Sequence, residues 1–487
     1  MLNSRWLPIT GFSLIAGCGG FATGAREGSA EDTRPNIIFI LADDLGISDL
    51  GAYGSPYHQT PHLDQLAMEG RSFTQAYAPA PICSASRSAY LTGRSPARLH
   101  FEFVTKLPGT QVSRVHPLSI PDYPLNLALW EQTLGELLGS VGYRTAFYGK
   151  WHVSAHNGGY LNWSNTHGPL QQGFDEGEQE FGSHPYGDVG RTPNQMASFE
   201  AGDYGVDALT NRAIEFLHQP HSDPFFLYLS HYYVHTPIRT RAVWSEEANL
   251  AELPPPPDVD RATYAAMVET LDDLVGRVLV ELDHLGLSQN TVVVFTSDNG
   301  GHPRYAANGP SRGSKWNLYE GGIRVPFIVR WPGRVPAESV SDIPIIGSDI
   351  FPTFAAIAGA KISAFDSLDG VNLLPLWEKE EPPDRTEPLV WHFPYYHPET
   401  GFEEVRHEIG INDFAVSQTY PHSAIRLGSF KLLHFYEDAR DELYDLRNDP
   451  SEQNDLSKLH PEKSRELRLV LDDYLHRVDA RFPTRES

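Results

Sequence analysis

Two polar pairs stand directly after apolar runs in this chain: Asp43-Asp44 after NIIFILA and Asp298-Asn299 after TVVVFTS. Three carboxylates and one amide oxygen form an oxygen-only ligand set, which suits a hard divalent ion, Ca²⁺ or Mg²⁺. Lys150 and His152 follow a third apolar run, YRTAFYG, and His235 lies at the end of a fourth, PFFLYLSHYYV. Such groups neutralise anions and move protons. One such pair is as well explained by a cap or loop start, and one such histidine by a buried structural role. The convergence of four run ends points to a site.

Cys83 heads the stretch CSASRSAYLTGR. Residues 84–92 fit a helix and Gly93 a stop, so Cys83 falls at a helix N-terminus, where free N–H groups and the helix dipole favour an anion. A thiol there is expected to have a lowered pKa and to be reactive. A small residue packed under the site is the alternative. A cysteine-protease pairing with histidine leaves the carboxylates unexplained. The second cysteine of the chain is Cys18, so a structural disulfide is not expected and a multi-thiolate zinc site is excluded by count.

These residues need a scaffold that brings run ends together. The apolar runs 36–44, 143–152, 224–237, 291–301 and 324–333 read as strands. Helical patterns lie between them: from Pro61 to Gly70, 133–141, 261–285 and 348–359. The alternation predicts an α/β fold with a large mixed, mostly parallel central sheet flanked by helices. In open sheets of this kind ligands bind beyond the carboxyl ends of the strands. After residue 380 the pattern changes. LVWHF, SAIRLGSFKLLHFY and DELYDL read as a smaller antiparallel sheet and 461–478 as a terminal helix. The expected divisions are 35–380 and 381–487.

Apolar residues make up 40 % and charged residues 21 % of the 487, an ordinary soluble balance. The formal net charge of -25 disfavours nucleic acid and anionic membranes as partners. An anionic substrate therefore needs a local positive site. At the N-terminus, residues 1–17 read as a signal peptide that ends in IAGC (15–18). That ending resembles a bacterial lipobox, with Cys18 lipidated and 18–34 a flexible tether. The protein is expected to be exported and membrane-anchored through lipid, facing the periplasm or cell surface.

CSASR and SAYLTGR resemble the sulfatase signature and its extension. LADDLG, GKWH, VHTP, SDNGG, YEGGIRVP and DELYDLRNDPSEQNDL resemble recurring blocks of the same family, in its order, from about residue 35 to 456. The resemblance is to type I, formylglycine-dependent sulfatases of the alkaline phosphatase superfamily. It implies an alkaline phosphatase-like fold and sulfuric ester hydrolysis. It implies that Cys83 is converted to 3-oxoalanine (formylglycine) by a formylglycine-generating or sulfatase-maturing enzyme, with Ala85 and Arg87 in the recognition motif. The hydrated aldehyde is then the nucleophile. Asp43, Asp44, Asp298 and Asn299 hold Ca²⁺, while Arg87 and Lys150 steady residue 83 and the sulfate. His152 accepts a proton, and His235 and Lys315 contact the sulfate and assist the leaving oxygen. Lys315 sits in PSRGSKWNLYEGG, without the Gly-Gly that often precedes this lysine in the family.

Export and anchoring point to a sulfated polysaccharide or its oligosaccharides as substrate. His184, His302, Arg304, His397, His422 and Arg426 are candidates to line an outer pocket as local cations. Two other readings fit the motifs less well. One is a phosphodiesterase or phosphonate monoester hydrolase of the same superfamily. The other is an inactive lipid-anchored glycan-binding protein, which would be expected to have lost motif residues.

Overall fold

The computed structural model describes residues 34–106, 110, 116–159, 161–178, 205–236, 238, 259–362, 367–397, 399, 402–404, 410–411 and 416–485. The leader, Cys18 and His184 lie outside them. Arg34–Ser487 forms one compact unit.

Its centre is an eight-stranded sheet in the order Glu176–Glu178, Arg144–Gly149, Phe225–Ser230, Asn36–Ala42, Thr291–Ser297, Phe327–Arg330, Arg71–Phe73, Ser339–Ser341. The first five strands are parallel. Phe327–Arg330 runs antiparallel to both of its neighbours. Every residue of the strand Asn36–Ala42 is buried, which is why it reads as an unbroken apolar run rather than an alternating one. Ile38, Ile40 and Ala42 pack with residues of helices Pro61–Met68, Gly205–Leu217 and Val259–His284. Ile37, Phe39 and Leu41 pack in a separate cluster with residues of helices Cys83–Thr92, Leu134–Ser140 and Ile350–Ala358. The two faces of one strand thus feed two cores.

The register aligns the strand ends that carry the chemistry. Leu41 pairs with Ser230, Ala42 with Ser297 and Gly149 with Ser230. The residues that follow emerge at one level. Gly149 has φ +107, and a Cβ there would lie 1.9 Å from the Ser230 carbonyl oxygen. Only glycine allows the chain to turn Lys150 inward so close to the neighbouring strand.

A second, antiparallel sheet holds Leu389–Phe393, His422–Leu427, Phe430–Phe435 and Arg440–Asp445. One core joins this sheet to the segments that carry the site: Trp391, Phe393, Leu433 and Phe435 cluster with Ile82, Ala85, Trp316 and Leu318. Helix Pro461–Arg477 contributes Leu467, Leu471 and Leu475 to a further core with Ile425, Leu432 and Leu443. A buried ion cluster adds a polar tie. Lys431 Nζ lies 2.8 Å from Glu320 Oε1 and 2.9 Å from Glu452 Oε1, and Glu452 Oε2 accepts from the Glu320 N–H at 2.6 Å. Glu320 opens the short helix that follows Lys315. Removing only the lysine strands two buried carboxylates, so Lys431→Met is expected to cost about 3–5 kcal/mol of stability. Denaturant titration reads the loss. Adding Glu320→Gln and Glu452→Gln to that variant should recover part of it, and a loss below about 1 kcal/mol would contradict the ion-cluster account.

Candidate active site

The site is built on the aligned strand ends and closed by helix Cys83–Thr92, all of whose residues are buried. Cys83 is itself the first helical residue, capped by Ile82. Arg87, one turn on, reaches back to the sheet. Its Nε donates to Asp298 Oδ2 at 2.9 Å, and Nη2 stands 2.8 Å from the same oxygen as an ion pair. Its Nη1 donates to the Lys150 carbonyl at 2.8 Å and to Ser230 Oγ at 2.6 Å. Asp43 Oδ1 lies 3.5 Å from Nη2. Nothing in the apolar run around Ser230 marks it as a site residue, yet its hydroxyl also donates to the Lys150 carbonyl at 2.7 Å.

Two lysines face two aspartates. Lys150 Nζ donates to Asp43 Oδ2 at 2.5 Å, and Lys315 Nζ to Asp44 Oδ2 at 2.6 Å. Asp44 Oδ1 accepts from Asn299 Nδ2 at 2.8 Å, the Asp44 N–H donates to Asp298 Oδ1 at 3.1 Å, and Cys83 Sγ stands 3.7 Å from Asp44 Oδ1. Three buried carboxylates therefore meet three buried cations around residue 83. Asp44, His152 and Trp316 all hold left-handed backbone, with φ of 63, 56 and 77. Such conformations cost energy in non-glycine residues and collect at functional sites.

Burial and charge set the protonation states. Burial alone would raise the Asp44 carboxyl, but Lys315 above all, with Lys150, outweighs it and holds it well below the usual carboxylate range. Burial and then Asp43 push Asp298 up to about 7, against Arg87 and Lys150. Burial opposes the charge on Lys315, yet Asp44 keeps the ammonium firmly protonated. Burial, with Lys150 beside it, drives His152 well below 6.5, and burial with Lys315 does the same to His235. Both rings are neutral. His235 Nδ1 lies 2.8 Å from the Thr236 carbonyl, an acceptor, so Nδ1 carries the proton. The lone pair on Nε2 then faces Asp44 Oδ2 at 3.5 Å.

Cys83 behaves otherwise than its helix position predicts. Burial pushes its thiol well above the ordinary value, and Lys150 and Lys315 do not compensate. The helix dipole loses to desolvation. An unmodified thiol here is an inert one.

Two of the four expected oxygen ligands, Asp43 and Asp44, fall in a cluster that could hold a metal ion, with Cys83 and His235 beside them. Ligand atoms of Asp43, Asp44, Cys83 and His235 lie within 4.8 Å of one another. Asp43 Oδ1 and Asn299 Oδ1 are buried and accept no hydrogen bond, although a buried oxygen without a donor costs about 1–3 kcal/mol. Both oxygens belong to the four-residue set expected from the sequence.

The outer-pocket candidates fare differently. His422 is buried in the smaller sheet, its Nε2 accepting from the Leu318 N–H at 2.9 Å, and burial holds it at about 3. Arg426 is spent on Tyr77, Gln75 and the Gly428 carbonyl. Both serve the junction of the two sheets rather than a pocket. Arg304 is exposed and pairs with Asp260 at 3.5 Å. His302 and His397 flank Trp316, with ring centroids 5.1 and 4.2 Å from it, beside Lys315. Burial holds them at about 3 and about 4, so they are neutral walls and not the cations the sequence reading expected. His156, four residues after His152, escaped that reading although its spacing in the same loop was a signal; the two rings stand 5.8 Å apart.

The model of the sulfatase family matches residues 35–360. The chain belongs to the sulfatase family. A second model, the C-terminal part of N-sulphoglucosamine sulphohydrolase, matches residues 314–480. The chain is 34 % identical to Homo sapiens arylsulfatase A over 374 residues, covering 72 % of this chain and 69 % of that one. It is 33 % identical to Mus musculus steryl-sulfatase over 432 residues, covering 70 % and 65 %. The sulfatase thus spans just under two thirds of the length of that mouse relative. Among solved structures, Ps i-CgsB superposes with a TM-score of 0.71 at 30 % identity, covering 91 % of this chain and 93 % of that one. Members of the family are sulfuric ester hydrolases, and this sulfatase holds Asp43, Asp44, Cys83, Arg87, Lys150, Asp298, Asn299 and Lys315 in one contact network.

The orphaned oxygens generate a test. A divalent cation is expected to raise the unfolding free energy, by about 2.7 kcal/mol at a hundredfold excess over its dissociation constant. Asp43→Asn and Asp44→Asn should abolish the rise. Thermal melts with Ca²⁺, Mg²⁺ or a chelator would read it, and identical melts in all three would refute the metal assignment.

Proposed function

We propose that the protein hydrolyses sulfate esters of a sulfated polysaccharide or its oligosaccharides, using residue 83 as formylglycine and a Ca²⁺ ion. The observation that carries this reading is the balanced ring of Arg87, Lys150 and Lys315 against Asp43, Asp44 and Asp298 around a buried residue 83. Family membership supports it, as does the likeness to Ps i-CgsB, which has also been solved in complex with k-i-k-neocarrahexaose.

Oxidised and hydrated, residue 83 supplies a hydroxyl nucleophile that can let sulfate go again, and the cation supplies positive charge for sulfate oxygens. The chain's own residues do the rest. Arg87 and the helix N-terminus fix residue 83 against the strand ends. Lys150 and Lys315 offset sulfate charge in a site where burial makes each charge count for more than in water. Lys315, firmly protonated, is the proton donor for the leaving oxygen. His235 is neutral with its proton on Nδ1, so it orients by accepting at Nε2. His152, also neutral, is the proton acceptor at residue 83.

Maturation falls to a formylglycine-generating or sulfatase-maturing enzyme, and Cys18 anchors the exported protein by lipid. The lipobox-like IAGC supports the anchor. Among the described residues no helix is long and apolar enough to cross a membrane.

Three results follow for protein co-expressed with a maturing enzyme. The peptide containing residue 83 should weigh roughly 18 Da less than its cysteine form, the change from thiol to aldehyde. Cys83→Ala should keep the fold and lose turnover of an aryl sulfate. Lys315→Ala should lower kcat by roughly 10²–10³. An unshifted mass together with full wild-type turnover would refute the nucleophile.

A further inference from the structure

One lysine near the site has no assigned task. Lys106 is half-buried and forms no ion pair among the described residues. Lys150, Lys315 and Lys431, the other lysines packed into this fold, all hold carboxylates. Instead the Lys106 ammonium stands 5.4 Å from the centre of the Phe103 ring and 5.7 Å from that of Tyr123. Those rings stack 5.2 Å apart and pack with Tyr395. Rings in such an arrangement hold a cation in place without neutralising it.

Its position is fixed by short-range contacts to the site. The Thr105 N–H donates to Ser84 Oγ at 3.3 Å, next to residue 83. Thr105 Oγ1 and His156 Nε2 are 3.2 Å apart, and the His156 ring faces that of His152. The charges felt by the surrounding groups agree. After burial, Lys106 and Lys150 are what disfavour protonation of His156. Glu399 is the charged group that acts on Lys106, and Glu399 in turn feels Lys315, Asp44 and Lys106. Glu399 is tied to the Trp316 wall through His397, whose Nδ1 is 3.1 Å from the Glu399 nitrogen. Lys106 and Glu399 thus sit on two segments packed beside the site residues: one follows helix Pro96–Leu99 and is held to Ser84 by Thr105, the other follows strand Leu389–Phe393 and is held to the Trp316 wall by His397.

We propose that Lys106 is a specificity residue: its ammonium binds a second oxyanion of the substrate, beyond the sulfate that is cleaved. A partly desolvated cation that forms no ion pair among the described residues and feels only Glu399 across the gap, in a chain of net charge -25, is a place for an anion rather than for a hydroxyl. The preferred substrates then carry a further sulfate ester or a carboxylate close to the scissile group. Both share one chemistry, an oxyanion on the sugar. Glu399 limits the affinity by standing opposite. The proposal rests on the sulfate-ester reading of the site.

The experiment compares three glycosides of one sugar: singly sulfated, doubly sulfated, and singly sulfated with a carboxylate. The quantity read is the ratio of kcat/KM for each doubly charged substrate to that for the singly charged one. Wild type should favour at least one doubly charged substrate, which names the source of the second anion. Lys106→Gln should lower that ratio about tenfold, the scale of one lost charge-assisted hydrogen bond, and through KM. Lys106→Arg should largely restore it, and Glu399→Gln should raise it. A wild type without preference, or a Lys106→Gln loss equal on all three substrates, would overturn the proposal. Calorimetric binding in a Cys83→Ala background needs no turnover. Lys106-dependent binding there, with no hydrolysis by the mature wild type, would reject the hydrolase reading alone. Binding indifferent to Lys106 would reject this inference alone.

Discussion

Arg87 is the interaction on which the rest of the site depends. A guanidinium has donors in a fixed plane, and this one spends them on Asp298, on Ser230 and on the Lys150 carbonyl, with Asp43 close by. Those partners sit at the carboxyl ends of four adjacent parallel strands. One side chain thus clamps the sheet to helix Cys83–Thr92 and sets where residue 83 stands relative to every charged group. The clamp is wholly buried, so it keeps its strength, and it holds together carboxylates that would otherwise repel one another.

Desolvation then sorts the remaining groups. Lysines paired with aspartates stay charged, whereas deeply buried histidines beside those lysines are driven to the neutral form. This is why the site has cations at Lys150 and Lys315 and neutral imidazoles at His152 and His235 within a small volume. The smaller sheet supports the same division. Its aromatic core backs Trp316 and Leu318, and Lys431 with Glu320 and Glu452 anchors the turn just beyond Lys315.

Much of this was legible in the order of residues. Strands buried on both faces leave continuous apolar runs, so Asp43, Lys150 and Asp298 stand out at their ends. The stop read at Gly93 marked a helix limit that the structure keeps. What escaped depends on depth and on distant partners. The thiol of Cys83 was expected to be acidic from its helix position, but the degree of burial, a tertiary property, reverses that. The same burial neutralises His302, His397 and His422, which were expected as local cations on a chain of net charge -25. Ser230 is one hydroxyl in an apolar strand, and Lys106 and Glu399 lie far apart in sequence, so no local pattern could pair them.

The burial of helix Cys83–Thr92 also imposes an order of events. Since no residue of that helix is exposed, the oxidation proposed for residue 83 would have to occur on a chain that has not yet docked it. On that proposal maturation and folding would compete for the same nascent segment. A chain that folded first would keep a shielded thiol. The yield of mature protein would then be set by relative rates during synthesis, and a variant that folds faster would be more stable and yet less active.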